Sequence, residues 1–267
     1  MARDEACYLY AVTAAGPGPD LPKLSGVTGA GDGPAPVHGL PVGSIAAIFS
    51  VVPTDRVRPD RRNLAAHQGV LRAILDSEVP FLPASFGLVA PSRRALVDLL
   101  RSNRAAITAE LGRLAGKVEM TLKAAWDVAN LFEYFVFACP ELARLRDRFA
   151  TRPGGPSRDE KIEMGRTFES MRSEVRKRHS AQVMRVLRPC VAEFRERPVR
   201  DENAVMDLAC LVERGRVKAY ERAVLEAASL FDDNYAFDYG GPWPPFSFVG
   251  VSLEEPLSVA RCQAGEG

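Results

Sequence analysis

The sequence predicts an α+β fold in two domains, an N-terminal mixed α/β domain and then a C-terminal ferredoxin-like domain with inserted helices, followed by a C-terminal tail. Three observations carry this expectation. Apolar and polar residues alternate from Lys117 to Trp126 and again from Ala204 to Val212, the period of strands with one buried face. Elsewhere apolar residues recur every three or four positions, the period of amphipathic helices. From Lys117 onward the order reads strand, helical insertion, long helix, strand, helix, strand, which is most of a βαββαβ plan. The boundaries that follow are 1–115, 116–239 and a tail, 240–267, packed at the domain seam.

Tyr8–Thr13 is a β-rich run and reads as the first strand. Gly16 to Pro41 is dense in Gly and Pro and reads as a long mobile loop. Ser44–Val52, SIAAIFSVV, is a continuous apolar run before Pro53, as in a strand covered on both faces. Asn63–Glu78 places Leu64, His67, Leu71 and Ile74 on one helical face, and Pro80 ends it. Phe81–Val89 returns to strand, held to an edge or bulge by Pro83. A single helix of more than five turns follows, with Leu96, Leu100, Ile107, Leu111 and Leu114 as its stripe, Ser92 as its cap and Gly116 as its end.

Within the second domain, one face of Lys117–Trp126 is expected to be buried and the other wet. Val128–Phe149 reads as two short helices broken at Pro140, and Arg152–Ser157 as a linker. Asp159–Leu187 is the longest helix, with Met164, Phe168, Met171, Val175, His179, Val183 and Val186 on one face. The strand Ala204–Val212, a helix marked by Val217, Tyr220, Val224, Ala227 and Phe231, and a short strand near Asn234–Tyr239 complete the domain.

Composition narrows the function. Of 267 residues, 46% are hydrophobic and 26% charged, an ordinary globular composition. The 35 Lys and Arg nearly balance the 34 Asp and Glu, so no global field attracts nucleic acid or anionic lipid. Five scattered cysteines without a C-x-x-C pair argue against a zinc ribbon or disulfide framework. The start, MARDEACYLYAV, lacks the layout of a secretory signal, and no run is long enough to span a bilayer; a cytoplasmic location is expected.

Each chemical motif has a plainer reading. GVTGAGDG, Gly26–Gly33, is followed by Pro34 and Pro36 instead of a helix N-terminus, so it reads as a loop and not a phosphate cradle. His38, His67 and His179 lie far apart without metal-ligand spacing, and the last two read as hydrogen-bonded helix-face histidines. Asp232, Asp233 and Asp238 lack the glycine and closing glutamate of a calcium loop and read as a turn. Arg158–Arg200 holds twelve Lys and Arg against seven Asp and Glu, including Arg176, Lys177 and Arg178, but i,i+4 pairing such as Glu174 with Arg178 suggests a solvated helix face. No catalytic, cofactor or metal constellation emerges, so catalysis and cofactors are not expected. The most specific run is GGPWPPFSFV, Gly240–Val249. Three prolines and a tryptophan make a stiff strap whose rings want cover, either as a tail on the protein's own surface or as a partner-docking ligand; Pro242, Trp243, Pro244, Pro245, Phe246 and Phe248 are the contact candidates.

Five ordered segments resemble the gas vesicle protein GvpL/GvpF family: YLYAV at Tyr8–Val12, RRNLAAHQGVL at Arg61–Leu71, VPFLPASFG at Val79–Gly87, GKVEMTLKAAWD at Gly116–Asp127 and GPWPPFSFV at Gly241–Val249. The resemblance implies two α+β domains, the second a modified ferredoxin-like fold with inserted helices, joined by a C-terminal tail, in a non-enzymatic accessory protein, a minor component or assembly factor of the gas vesicle, associating with the major shell protein GvpA and other Gvp proteins. Such a shell has a strongly apolar gas-facing surface, so unassembled subunits need cover. The alternative is a nucleotide- or nucleic-acid-binding module using the ferredoxin-like sheet or the basic helix. The chain departs from the family pattern at Gln68 and Ser85, where an acidic residue and an arginine are frequent; the reading is that a buried ion pair is absent, both partners being neutral. It departs again at Phe246 and Ser247, where Tyr and Asn are usual, a change expected to remove hydrogen-bonding capacity.

Overall fold

The computed structural model describes residues 5–15, 28–31, 33, 35–53, 56–150 and 155–251. The fold is α+β, with seven α-helices and two sheets among the described residues. The chain divides into two compact units, Met1–Glu119 with Pro242–Gly267, and Met120–Gly241.

In the first unit the sheet order is β2-β3-β1-β4, with β5 also on β1. β1 (Ala6–Ala14) is buried through Thr13, and β3 (Ile45–Val52) is buried except at Val51 and runs antiparallel to it from Ala6↔Val52 to Ala14↔Ile45. Position Val51 aside, that is the double cover the continuous apolar run predicts. Two differences from the sequence reading concern prolines. β2 (His38–Val42) occupies the end of the expected loop, because an edge strand tolerates Pro41. It joins β3 through the two-residue turn Gly43–Ser44, where φ of +66° at Gly43 suits a hairpin turn. The expected strand Phe81–Val89 is two short pieces, β4 (Phe81–Pro83) and β5 (Val89–Ala90), both antiparallel to β1.

Helix α1 (Arg61–Asp76) is capped by Asp60, whose carboxylate accepts from the Asn63 N–H at 2.8 Å. Its buried face is Asn63, His67, Val70, Leu71, Ile74 and Leu75; Leu64, expected on that face, is exposed. The long helix expected after Ser92 is two, α2 (Arg93–Ser102) and α3 (Arg104–Leu114). The break falls at Asn103, whose amide donates to the Leu99 carbonyl at 2.9 Å, a local bond that competes with helix propagation. Ser92 caps α2 as expected, accepting from the Ala95 N–H.

The unit's interior holds a polar knot. The Tyr8 hydroxyl shares a 2.8 Å hydrogen bond with His67 Nδ1, and Tyr10 donates to Ser50 Oγ, which donates to the Pro36 carbonyl. The Gly-rich segment docks on this knot: the Ala30 N–H donates to the Tyr10 hydroxyl and the Gly31 N–H to Asn63 Oδ1. Residues 28–31 are therefore pinned, a correction to the mobile-loop reading. The approach is so close at Gly29 that a Cβ there would lie 2.3 Å from Ser50 Oγ.

In the second unit, β6 (Lys117–Trp126) is followed by α4 (Leu131–Ala138), α5 (Pro140–Ala150), α6 (Arg158–Leu187), β7 (Glu193–Glu196), β8 (Ala204–Glu213), α7 (Val217–Ala228) and β9 (Tyr235–Trp243), and the sheet order is β7-β8-β6-β9. Pro140 opens α5, and a capping box of Ser157 and Glu160 opens α6. Of the linker read at Arg152–Ser157, residues 152–154 lie outside the described residues. Three strands differ from expectation: β9 runs on to Trp243, four residues past the strand expected near Asn234–Tyr239 and into the proline-rich run. β7, Glu-Phe-Arg-Glu, is too short and too charged to announce itself. β8 is buried on both faces, not one, because it lies inside the sheet. The expected stripe of α6 is mostly half-buried, and Arg172 and Ser180 are among its buried residues.

The knot generates a pH prediction. Burial pushes the His67 imidazole down to about 4 from its ordinary 6.5. In the unfolded chain His67 takes up a proton below about 6.5, while in the folded chain it does so only near 4, so stability falls as pH drops through that window. Urea unfolding at pH 7 and pH 4.5 is expected to differ by about 1–3 kcal/mol more for the natural chain than for His67→Asn; equal differences would contradict a buried neutral imidazole.

Candidate docking surface

The strap, whose first residues to Trp243 form the end of β9, is fixed at alternate points. Glu119, placed by its alternation in β6 on the expected wet face, is 4% exposed. Its carboxylate accepts from the Ser247 N–H at 2.8 Å and from the Ser247 hydroxyl at 2.7 Å. This corrects one reading, because the outer face of β6 is covered here, and Ser247 supplies two hydrogen bonds at a position where Asn is usual. Arg113 Nη2 donates to the Phe248 carbonyl and also pairs with Glu110 at 2.9 Å. Glu110 in turn accepts from the Gly250 N–H at 3.2 Å. One end of α3 thus holds the strap by its backbone.

The six contact candidates divide into three groups. Pro244, Pro245 and Phe248 are buried, the last completely. Pro242 is half-buried, and its carbonyl accepts from Arg72 Nη1 at 3.5 Å. Trp243 is 47% exposed and Phe246 is 38% exposed. The rings read as wanting cover are therefore only partly covered. A strap stiffened by prolines and tied down on both sides of Phe246 holds two aromatic side chains at the surface, which lowers the entropy lost when a partner covers them. Sequence reasoning missed the anchors Glu110, Arg113 and Glu119, since only the fold brings them to the strap.

The remaining candidates are spent on the protein's own structure. His179 Nε2 shares a 3.0 Å hydrogen bond with the Tyr235 hydroxyl, and burial pushes its imidazole below the ordinary range, with Arg178 adding to the shift. Arg176 donates to the carbonyls of Ala204, Asp201 and Glu202, and its guanidinium lies over the Trp126 ring at 5.5 Å. Arg172 donates to Glu169, so part of the basic run serves the fold. Glu174 and Arg178, expected to pair, form no ion pair among the described residues. Asp232 accepts from the Asn234 N–H at 3.0 Å, a turn bond. Among the described residues no group of three His, Cys, Asp or Glu is placed to hold a metal ion. No helix of the described residues is long and apolar enough to cross a membrane. Gln68 and Ser85 are both exposed, so a charge at either would be solvated, and the buried-pair reading loses its premise.

The fold and this surface define a class: an α+β protein whose conspicuous exposed chemistry is aromatic and held in place, suited to contact with other macromolecules. The model of the gas vesicle synthesis protein GvpL/GvpF family matches residues 6–250, and the chain belongs to that family. It is 31% identical over 245 residues to gas vesicle protein F of Streptomyces sp. (strain CB03234), covering 91% of this chain and 98% of that one. It is 27% identical over 214 residues to gas vesicle protein F2 of Halobacterium salinarum, covering 79% and 78%. The crystal structure of GvpF from Anabaena sp. PCC7120 shares the fold at a TM-score of 0.80 and 23% identity, over 93% of this chain and 99% of that one. These relatives place the chain among gas vesicle accessory proteins, a family not known as an enzyme class.

The anchor is testable. Glu119→Ala removes the acceptor for two strap hydrogen bonds and is expected to cost about 1–3 kcal/mol. Hydrogen exchange of amides 244–251 should accelerate in the variant; unchanged protection there would show that Glu119 does not hold the strap.

Proposed function

We propose that this protein covers apolar surface on gas vesicle proteins, the major shell protein GvpA first, during vesicle formation, and that it does so in the cytoplasm and at the vesicle. The observation that carries the reading is the pair Trp243 and Phe246, both more than a third exposed on a strap whose Pro244, Pro245 and Phe248 are buried. Aromatic residues presented on a rigid support are typical anchors of protein interfaces. A net charge of +1 supports attraction by apolar contact and not by a global field. The family membership supplies the setting, since shell subunits with apolar faces aggregate unless those faces are covered. A ferredoxin-like plan for the second unit is part of the same reading; it is supported by the element order strand-helices-strand-strand-helix-strand together with the sheet order β7-β8-β6-β9.

The test is binding of purified shell protein by Trp243→Ala/Phe246→Ala. Affinity is expected to fall about thirtyfold or more, as for loss of an interface hot spot. The melting curve should barely move, because side chains this exposed return less than about 1 kcal/mol to the fold. Binding should survive moderate salt and weaken in mild detergent. Unchanged affinity in the double variant, or binding abolished by moderate salt, would contradict the proposal.

A further inference from the structure

The sheet of the unit Met120–Gly241 leaves one edge open. Its order is β7-β8-β6-β9, so β7 and β9 are its margins. β7 is blunted as edge strands usually are, being only four residues long with Glu193, Arg195 and Glu196 among them. The margins of the other sheet are blunted too, since β2 carries Pro41 while β4 and β5 are three and two residues long. β9 has none of these devices over most of its length. It has nine residues, meets no proline before Pro242 and carries Asp238 as its only charge.

Two hydrogen bonds identify the free side of β9. The Asp127 N–H donates to the Asn234 carbonyl at 2.7 Å and the Thr121 hydroxyl to the Gly240 carbonyl at 3.4 Å, both from the side of β6. Peptide groups alternate in direction along a strand, so those of Phe237 and Tyr239, in the opposite phase, point away from β6. No strand among the described residues stands on that side. The strand is open to solvent, with Ala236, Asp238 and Gly241 exposed and Tyr239 41% exposed. The Phe237 ring packs on Phe231 at 5.1 Å between ring centres, so what this residue offers an approaching chain is its backbone.

We propose that β9 accepts an extended segment of the shell partner as an added strand, with Phe237 and Tyr239 giving and taking the main-chain hydrogen bonds. The inference rests on the reading that the strap contacts that partner, and takes it one step further. β9 runs without a break into Trp243, so a strand laid along it ends at the exposed indole. An edge of unpaired N–H and C=O groups is complementary to extended backbone, which fixes the kind of segment that docks. Main-chain pairing then supplies register and affinity, and the two aromatic residues select a segment with apolar side chains.

Residue-resolved hydrogen exchange, with and without saturating purified shell protein, tests the proposal. In the free protein the Phe237 and Tyr239 amides are expected to exchange faster than those of Ala236 and Asp238, which face β6. In the complex they should slow by about a hundredfold or more, as for amides drawn into a ladder. Tyr239→Pro deletes one outward donor where an edge strand tolerates proline, and should weaken binding roughly tenfold, whereas Tyr239→Ala, which keeps the N–H, should bind within about threefold of the natural chain. If the proline variant fails to fold, the exchange measurement decides. A complex that covers Trp243 yet leaves both amides as fast as in the free chain overturns strand addition and spares the strap reading. Equal binding by the two Tyr239 variants overturns it likewise. Absence of any binding by the natural chain overturns both readings. Slowing of these amides that grows with the concentration of the free chain assigns the edge to a second copy, and overturns the proposal as well.

Discussion

A carboxylate buried beneath the C-terminal strap is the constraint on which the binding surface depends. Left without partners, a group of this kind is costly to remove from water, and Glu119 is tolerable because Ser247 gives it both an N–H and an O–H. The dependence runs the other way too. Beyond β9, which ends at Trp243, the prolines leave the strap few backbone donors, so side-chain acceptors and the Arg113 guanidinium fix it. With Ser247 and Phe248 held, Phe246 and Trp243 have their backbones set and their rings left at the surface. Rigidity of support and exposure of side chain are thus one consequence of one anchoring arrangement.

The same logic governs the interior of the first unit. Tyrosines, serine, asparagine and a histidine buried beside a central strand invite an enzymatic reading, but they are engaged in positioning the Gly-rich segment on β1 and α1. Burial drives the Tyr8 and Tyr10 hydroxyls upward and the His67 imidazole downward, so all three stay neutral near pH 7. Neutral, mutually bonded groups in a dry interior rigidify a fold. The exposed aromatic residues of the strap, by contrast, are left available to another molecule.

Periodicity made much of this architecture legible. β1, β3, α1, β6, α6 and β8 announce themselves through alternation, continuous apolar runs or a helical stripe, and Pro140 and Ser92 punctuate as their chemistry demands. What escaped was decided by tertiary context. β2 hid because Pro41 reads as a breaker until the strand is known to be an edge, and β7 because four mostly charged residues carry no period. Asn103 divides a helix whose apolar stripe runs straight through the break. At the binding surface the strap itself was conspicuous, whereas its anchors were not: Glu119 looks like any outward residue of an alternating strand until Ser247 arrives from 128 positions away. The cover of each ring was equally invisible, since Trp243 and Phe248 are both apolar and only the fold makes one half-exposed and the other buried.

Partner binding depends on the exposed aromatic residues of the strap. Indole quenching by acrylamide addresses it most directly, because Trp126 is 2% exposed and Trp243 is 47% exposed, so quenching reports chiefly on the strap. Saturating the protein with shell subunits that contribute no emission of their own is predicted to protect Trp243 and leave quenching near the level of a buried indole. Full complex formation with quenching as strong as in the free protein would place the partner elsewhere and contradict the claim.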